Sequence, residues 1–121
     1  MKILIVEDDP LSLDMLSRRL EKRGFAILTA TDGAQALRHA REDGVELVIT
    51  DIGLPKLDGY ELAMTIKADS TVSHIPLIAL TAHAMKEDED KILKSGFDAY
   101  ETKPVNFARL LQKIEYLVTE K

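Results

Sequence analysis

Short runs of apolar, often β-branched residues recur along this chain, and each is followed by a segment whose apolar positions fall at helical spacing. Lys2 to Val6, Ala26 to Ala30, Leu47 to Thr50, Pro76 to Leu80 and Ala99 to Glu101 read as strands. Pro10 to about Arg23, Ala34 to Glu42, Tyr60 to Ala68, Lys86 to Ser95 and Asn106 to Thr119 read as helices. The first helix has Pro10 in its opening turn, Asp9 as a cap candidate, and Leu13, Leu16 and Leu20 on one stripe. The last carries Phe107, Leu110, Leu111, Ile114, Leu117 and Val118 on one apolar stripe. Gly24, Gly44 and Gly96 stand where helices should stop. Strand runs with so little polar alternation need cover on both faces, which a parallel sheet with helical crossovers provides.

The expected architecture is therefore one α/β domain over residues 1–121, with a five-stranded parallel sheet and helices on both faces. Among open sheets of this kind we expect the flavodoxin-like (βα)5 arrangement with strand order 2-1-3-4-5, taken over from known doubly wound folds rather than deduced. The 121 residues are 45% hydrophobic, enough for one core without disulfides, and there is no Cys to supply a thiol nucleophile or a zinc ribbon. Asp and Glu outnumber Lys and Arg by 21 to 16, with no basic cluster, which argues against direct nucleic-acid binding. The apolar runs fall far short of the roughly 20 residues of a membrane span. Met1 and Lys2 lead straight into a strand with no room for a cleavable signal, so membrane insertion is not expected and the cytoplasm is the expected location.

In open α/β sheets ligands gather beyond the carboxyl ends of the strands, near the switch between strands 1 and 3. Strand 1 ends in Glu7, Asp8 and Asp9, strand 3 in Asp51 and strand 4 in Thr81, while Lys103 and Pro104 follow strand 5. Carboxylates converging from different strands repel one another unless a cation stands between them. A hard divalent ion held by carboxylates, phosphate oxygens and water is the Mg²⁺ arrangement, and the scarcity of His and Cys disfavours Zn or Cu. With the metal present a carboxylate can attack a phosphoryl group, while Lys103 and the Thr81 hydroxyl neutralise and hydrogen-bond the transferred oxygens.

These residues resemble a known family over essentially the whole chain. Ile5-Val6-Glu7-Asp8-Asp9, Thr50-Asp51-Ile52-Gly53-Leu54-Pro55-Lys56-Leu57-Asp58-Gly59, Leu80-Thr81-Ala82 and Lys103-Pro104 occur in the order and spacing of a response-regulator receiver domain. The resemblance implies that Asp51 is the phosphoacceptor, Asp8 a direct Mg²⁺ ligand, Glu7 a ligand mainly through water, and the Gly53 carbonyl the third protein ligand. It implies that Lys103 pairs with the phosphoryl group, that its bond to Pro104 is cis, and that the Gly53 and Ala82 N–H groups complete a phosphate cradle. Thr81 and Tyr100 would be the switch pair, with Tyr100 turning in from solvent and altering the face of helix 4, strand 5 and helix 5. The implied partners are a histidine kinase or histidine phosphotransfer protein and a downstream protein target. The implied protein is a monomer that assists its own phosphorylation and dephosphorylation without being a dedicated enzyme. With the chain closing at the fifth helix, a stand-alone receiver acting through a bound partner or onward phosphate relay is expected, and a receiver excised from a larger regulator or hybrid kinase would read alike.

Two positions flank the path of a hydrolytic water. Gly53 lacks the bulk that would shield the phosphoryl group, and His83 is placed to orient or block water, so both are expected to set phosphate lifetime. Blander readings compete for several of these positions. Asp8 and Asp9 also fit a helix cap, Lys103 also fits a solvated charge and Tyr100 a half-buried edge residue, while Asp58-Gly59 is assigned to turn chemistry. His39 and His74 are placed on the surface, Met85 in packing, and Glu87 to Asp90 on a solvated helix face. A Mg²⁺-dependent phosphohydrolase using Asp51 is a competing reading, but Gly53 stands where its general acid would be expected. A flavodoxin-like cofactor binder would need a Ser/Thr/Gly-rich loop where Glu7, Asp8 and Asp9 stand instead. A phosphorylation-independent interaction module is the remaining alternative.

Overall fold

Three strands lie at the centre of the molecule because their side chains are apolar on both faces. They are β1 (Lys2–Val6), β3 (Leu47–Asp51) and β4 (Leu77–Thr81), flanked by β2 (Ala26–Ala30) and β5 (Ala99–Thr102) at the edges. The computed structural model describes residues 1–82 and 85–119. All strand pairs are parallel and the order is β2-β1-β3-β4-β5, as expected.

Strand alternation divides the core into two layers. Ile3, Ile5, Leu47, Ile49, Ile78 and Leu80 pack with α1 (Pro10–Lys22) and α5 (Phe107–Thr119). Leu4, Val6, Val48, Leu77 and Ala79 point the other way, toward α2 (Gly33–Glu42), α3 (Gly59–Ala68) and α4 (Lys86–Lys94). Leu16 and Leu20 of α1 and Leu110, Leu111 and Ile114 of α5 are buried, so both expected stripes face the sheet.

The strands run on past their expected ends. β3 includes Asp51, β4 includes Thr81 and β5 includes Thr102, because the ladder continues through the pairs Asp51 with Leu80 and Thr81 with Thr102. These residues, read from sequence at the mouths of loops, are thereby held by the sheet itself. At the opposite end of two connections, α2 and α3 begin one residue earlier than expected, at Gly33 and Gly59.

Helix caps fix how the chain leaves the sheet. Asp9 accepts from the Leu11 N–H and the Ser12 hydroxyl, Asp32 from the Gln35 N–H, and Asp58 forms a reciprocal capping box with Glu61. Asp58 thus performs a structural task, as expected, though as a cap rather than only a turn residue. Helix α4 lacks a side-chain cap, and Glu87, Asp88 and Glu89 in its first turn supply the complementary charge. Met85, expected to pack, is instead 66% exposed at the N-cap of α4. His74 is exposed as expected, whereas His39 is half-buried and pairs with Asp43 at 2.6 Å. No helix among the described residues is long and apolar enough to cross a membrane.

Candidate functional site

Glu7 follows β1, and its N–H continues the ladder by donating to the Ala30 carbonyl at 3.0 Å. This extended backbone turns the side chain inward, and Glu7 is only 2% exposed. Asp8 follows on the exposed rim, and Asp51 ends β3 half-buried beside them. One carboxylate oxygen from each of Glu7, Asp8 and Asp51 lies within 4.8 Å of the others. Asp9 does not join them, because its carboxylate is committed to capping α1, and the Ser12 hydroxyl foremost holds it below the usual carboxylate range. The capping interpretation therefore describes Asp9 and not its two neighbours.

Lys103 reaches this group from the loop after β5. Its Nζ donates to Glu7 Oε1 at 2.9 Å and lies 3.2 Å from Asp51 Oδ2. Its backbone N–H donates to the Thr81 carbonyl at 2.8 Å, so the end of β4 anchors the lysine. The Lys103–Pro104 peptide bond is cis. Burial pushes the Glu7 carboxyl upward, opposed by the hydrogen bond from Lys103 and aided by the Asp51 charge. Burial pulls Lys103 downward, but the carboxylates of Glu7 and Asp51 outweigh it and its net shift is upward. The lysine is accordingly a fixed cation in a site with an excess of negative charge, not a solvated one.

The remaining expected residues surround this centre unequally. Thr81 is buried at the last position of β4, with Ala82 exposed immediately after it. Gly53 is exposed in the loop after β3, and a β-carbon there would meet no atom within 4 Å. At the far end of that loop Gly59 is constrained, since a β-carbon would lie 2.6 Å from the Asp51 carbonyl oxygen. A cavity of about 310 Å³ opens between α1 and the β5–α5 loop, lined by Met15, Leu16 and Phe107 as well as Glu7 and Lys103. His83 lies outside the described residues.

Tyr100 is not drawn into the acidic group. It pairs with Ala79 in the ladder, two positions before the Thr81–Thr102 pair, and packs half-buried against the core. Its hydroxyl donates to Glu89 of α4, while Lys113 of α5 donates to its carbonyl at 2.6 Å. The ring is therefore engaged on the protein surface rather than loose in solvent. Sequence reasoning missed Glu89 and Lys113, as well as Glu101, which is 2% exposed and ion-paired to Lys113 and Arg109. The spacing of Arg109 and Lys113 on one face of α5 was the available signal, since a buried acid on the adjoining strand needs cations at that spacing.

The chain is similar to known proteins over nearly its whole length. The family model described as the response regulator receiver domain matches residues 3–115. The polar-differentiation response regulator DivK of Brucella anthropi is 37% identical over 113 residues, covering 93% of this chain and 92% of that protein. A receiver domain of a sensor histidine kinase from Pseudomonas aeruginosa superposes with a TM-score of 0.90 at 32% identity, covering 98% of this chain and 97% of the other. That structure has a magnesium ion coordinated in its active-site cleft. The chemotaxis response regulator CheY4 of Vibrio cholerae superposes with a TM-score of 0.89 at 27% identity, covering 96% and 97% of the two chains. With the family model matched almost from end to end and the acidic strand tips assembled around one lysine, this chain belongs to the response regulator receiver domains of two-component signalling.

Proposed function

We propose that Asp51 accepts a phosphoryl group from the phosphohistidine of a histidine kinase or histidine phosphotransfer protein, in a Mg²⁺-dependent step, and that residues 1–121 act as one switch. The observation that carries this reading is the Lys103 ammonium shared between Glu7 and Asp51 within a group of three carboxylates. One cation leaves that group short of positive charge, and an all-oxygen donor set within 4.8 Å suits a hard divalent ion. Glu7, Asp8, Asp51 and the Gly53 carbonyl would hold it. Bound there, Mg²⁺ offsets the crowded carboxylates and the charge on the incoming phosphoryl oxygens.

The protein's own part is positioning. Asp51 Oδ attacks phosphorus as the donor's P–N bond breaks, and the leaving imidazole takes up one proton. Lys103, anchored through its N–H to the end of β4, stands ready to follow the phosphoryl oxygens. The Thr81 hydroxyl and the N–H groups of Gly53 and Ala82 are assigned to the remaining oxygens. Movement of Thr81 toward the new anion would bias Tyr100 and with it the α4–β5–α5 face, which binds or releases a downstream protein. Because the Tyr100 hydroxyl is bonded to Glu89, that movement must break or carry along a contact with α4. The output is a changed surface and not a released product, so the protein is a signalling switch rather than a dedicated enzyme.

Incubation with acetyl phosphate and Mg²⁺ tests the proposal by intact mass. One added, hydroxylamine-labile phosphate that Asp51→Asn abolishes is expected. Turnover of unrelated phosphate esters without stable modification would favour a hydrolase instead.

A further inference from the structure

Gly33 opens α2, a helix that contributes none of the three clustered carboxylates, yet it bounds the loop that leaves Asp51. A β-carbon built on Gly33 would lie 2.3 Å from the Leu57 carbonyl oxygen and 2.7 Å from Leu57 Cβ. Neither separation is tolerable, and the nearer atom is backbone, so no side-chain rotation relieves it. Among the described residues those with positive φ are Lys56, Gly24, Gly44 and Gly96, and Gly33 is not one of them. Its backbone would accept alanine, a better helix former than glycine. What the position requires is empty space.

The loop that fills this space is short and fastened at both ends. The Ile52 carbonyl accepts from the Leu54 N–H at 3.0 Å and from the Gly59 N–H at 2.8 Å, so residues 52–59 close on themselves. Lys56 takes φ 65°, and its ammonium lies 3.6 Å from Asp32, the residue capping α2. The first turn of α2 is itself tied down, because Asp32 accepts from the Gln35 N–H at 2.8 Å and Gln35 accepts from the Thr31 N–H at 3.1 Å. The loop thus rests on a rigid support at Leu57 and Lys56, and Gly53 is carried on it.

The geometry points to Gly33 as a positioning residue for the metal and phosphoryl site. Its bare first turn is the seat of the 52–59 loop, and that seat fixes where the Gly53 backbone stands relative to Asp51. This inference rests on the reading that Glu7, Asp8, Asp51 and Gly53 hold Mg²⁺. A methyl group at Gly33 should lift Leu57 and displace Gly53 even though it favours the helix.

The test is a Mg²⁺ titration of the ¹⁵N-labelled chain, followed through the Gly53 amide, with a thermal melt of each variant. Gly33→Ala should shift the amides of residues 52–58 before any Mg²⁺ is added and weaken Mg²⁺ binding by about tenfold, the range known for groups that orient metal ligands. Leu57→Gly, which removes the β-carbon that faces Gly33, should weaken it in the same direction by less, and Ala34→Ser, at an exposed neighbouring position of the same helix, should leave it unchanged. A folded Gly33→Ala whose affinity stays within about twofold of the parent overturns the inference. If that variant does not fold, unchanged affinity in Leu57→Gly overturns it equally. A parent chain whose amides ignore Mg²⁺ would remove the metal reading and this inference together, whereas a parental response kept by both variants removes the role of Gly33 alone.

Discussion

The Lys103 ammonium donates to the Glu7 carboxylate at 2.9 Å, joining the loop beyond β5 to the end of β1 across the carboxyl edge of the sheet. The same nitrogen lies 3.2 Å from Asp51, so one cation is divided between two acids. A divalent ion entering this group must compete with the lysine for the same oxygens, although the lysine is also placed to meet a phosphoryl group. Opposite consequences for metal binding and for phosphoryl transfer follow from that single placement.

Lys103→Met should therefore tighten Mg²⁺ and slow phosphorylation. Removing one unit charge about 4 Å from a divalent ion should improve affinity by at least about tenfold, since even at the dielectric of bulk water that repulsion is about 2 kcal/mol. Loss of the same charge from the transferred oxygens should slow modification by acetyl phosphate at saturating Mg²⁺ by about tenfold or more. Isothermal titration and a time course of intact mass measure the two effects. Both moving in the same direction would contradict the shared-cation arrangement.

Asp8 and Asp9 are neighbours with separate tasks. If Asp8 holds the ion as proposed, Asp8→Asn should weaken Mg²⁺ by about tenfold or more with little change in stability, because the carboxylate is exposed. Asp9→Ala should keep Mg²⁺ affinity and lose about 0.5–2 kcal/mol of stability through the cap of α1. Urea unfolding beside a Mg²⁺ titration separates them, and exchanged phenotypes would reverse the assignment.

Tyr100 should ionise above the usual range of tyrosine. Its hydrogen bond to Glu89 is the foremost cause, followed by burial and by the charges of Glu89 and Glu101. A group whose folded value is raised contributes stability below its unfolded value of about 10 and loses it as pH rises through the folded value. Glu89→Ala should bring the Tyr100 titration down toward that ordinary value, as read by ¹³C NMR of the ring. A titration unmoved by this change would mean that the hydroxyl is held by something else.

Asp69 behaves in the opposite sense. The Thr71 hydroxyl and N–H, and then Arg41 of α2, stabilise its charged form and place its pKa below the ordinary 3.8. A depressed group contributes stability above the unfolded value and loses it as pH falls through the folded one. The urea midpoint should therefore fall more steeply below about pH 4 in the parent than in Asp69→Asn. Parallel curves for the two proteins would show that the carboxylate carries no pH-linked stability.

Much of the site was legible because strands of a parallel sheet end at the same edge. Apolar runs located β1 residue for residue, and placed Asp51, Thr81 and Lys103 near neighbouring strand ends. What could not be read was which acids stay free. Asp9 before Pro10 offered itself as a cap, but nothing in the run Glu7-Asp8-Asp9 says that the first is buried on Lys103 and the second exposed. Tyr100 stood out in the sequence, whereas its partner Glu89 belonged to an acidic run that read as a solvated face.

The sequence by itself determined the alternation of strands and helices, the two-faced core, and the chemical types gathered at the strand tips, since these depend on local periodicity and composition. Only the tertiary structure decided that Leu57 rests on Gly33, that Lys103 is divided between Glu7 and Asp51, and that Tyr100 is held by α4. Those contacts join residues far apart in the chain. Their geometry is set by how whole helices seat on the sheet, and local residue preferences carry no measure of that distance.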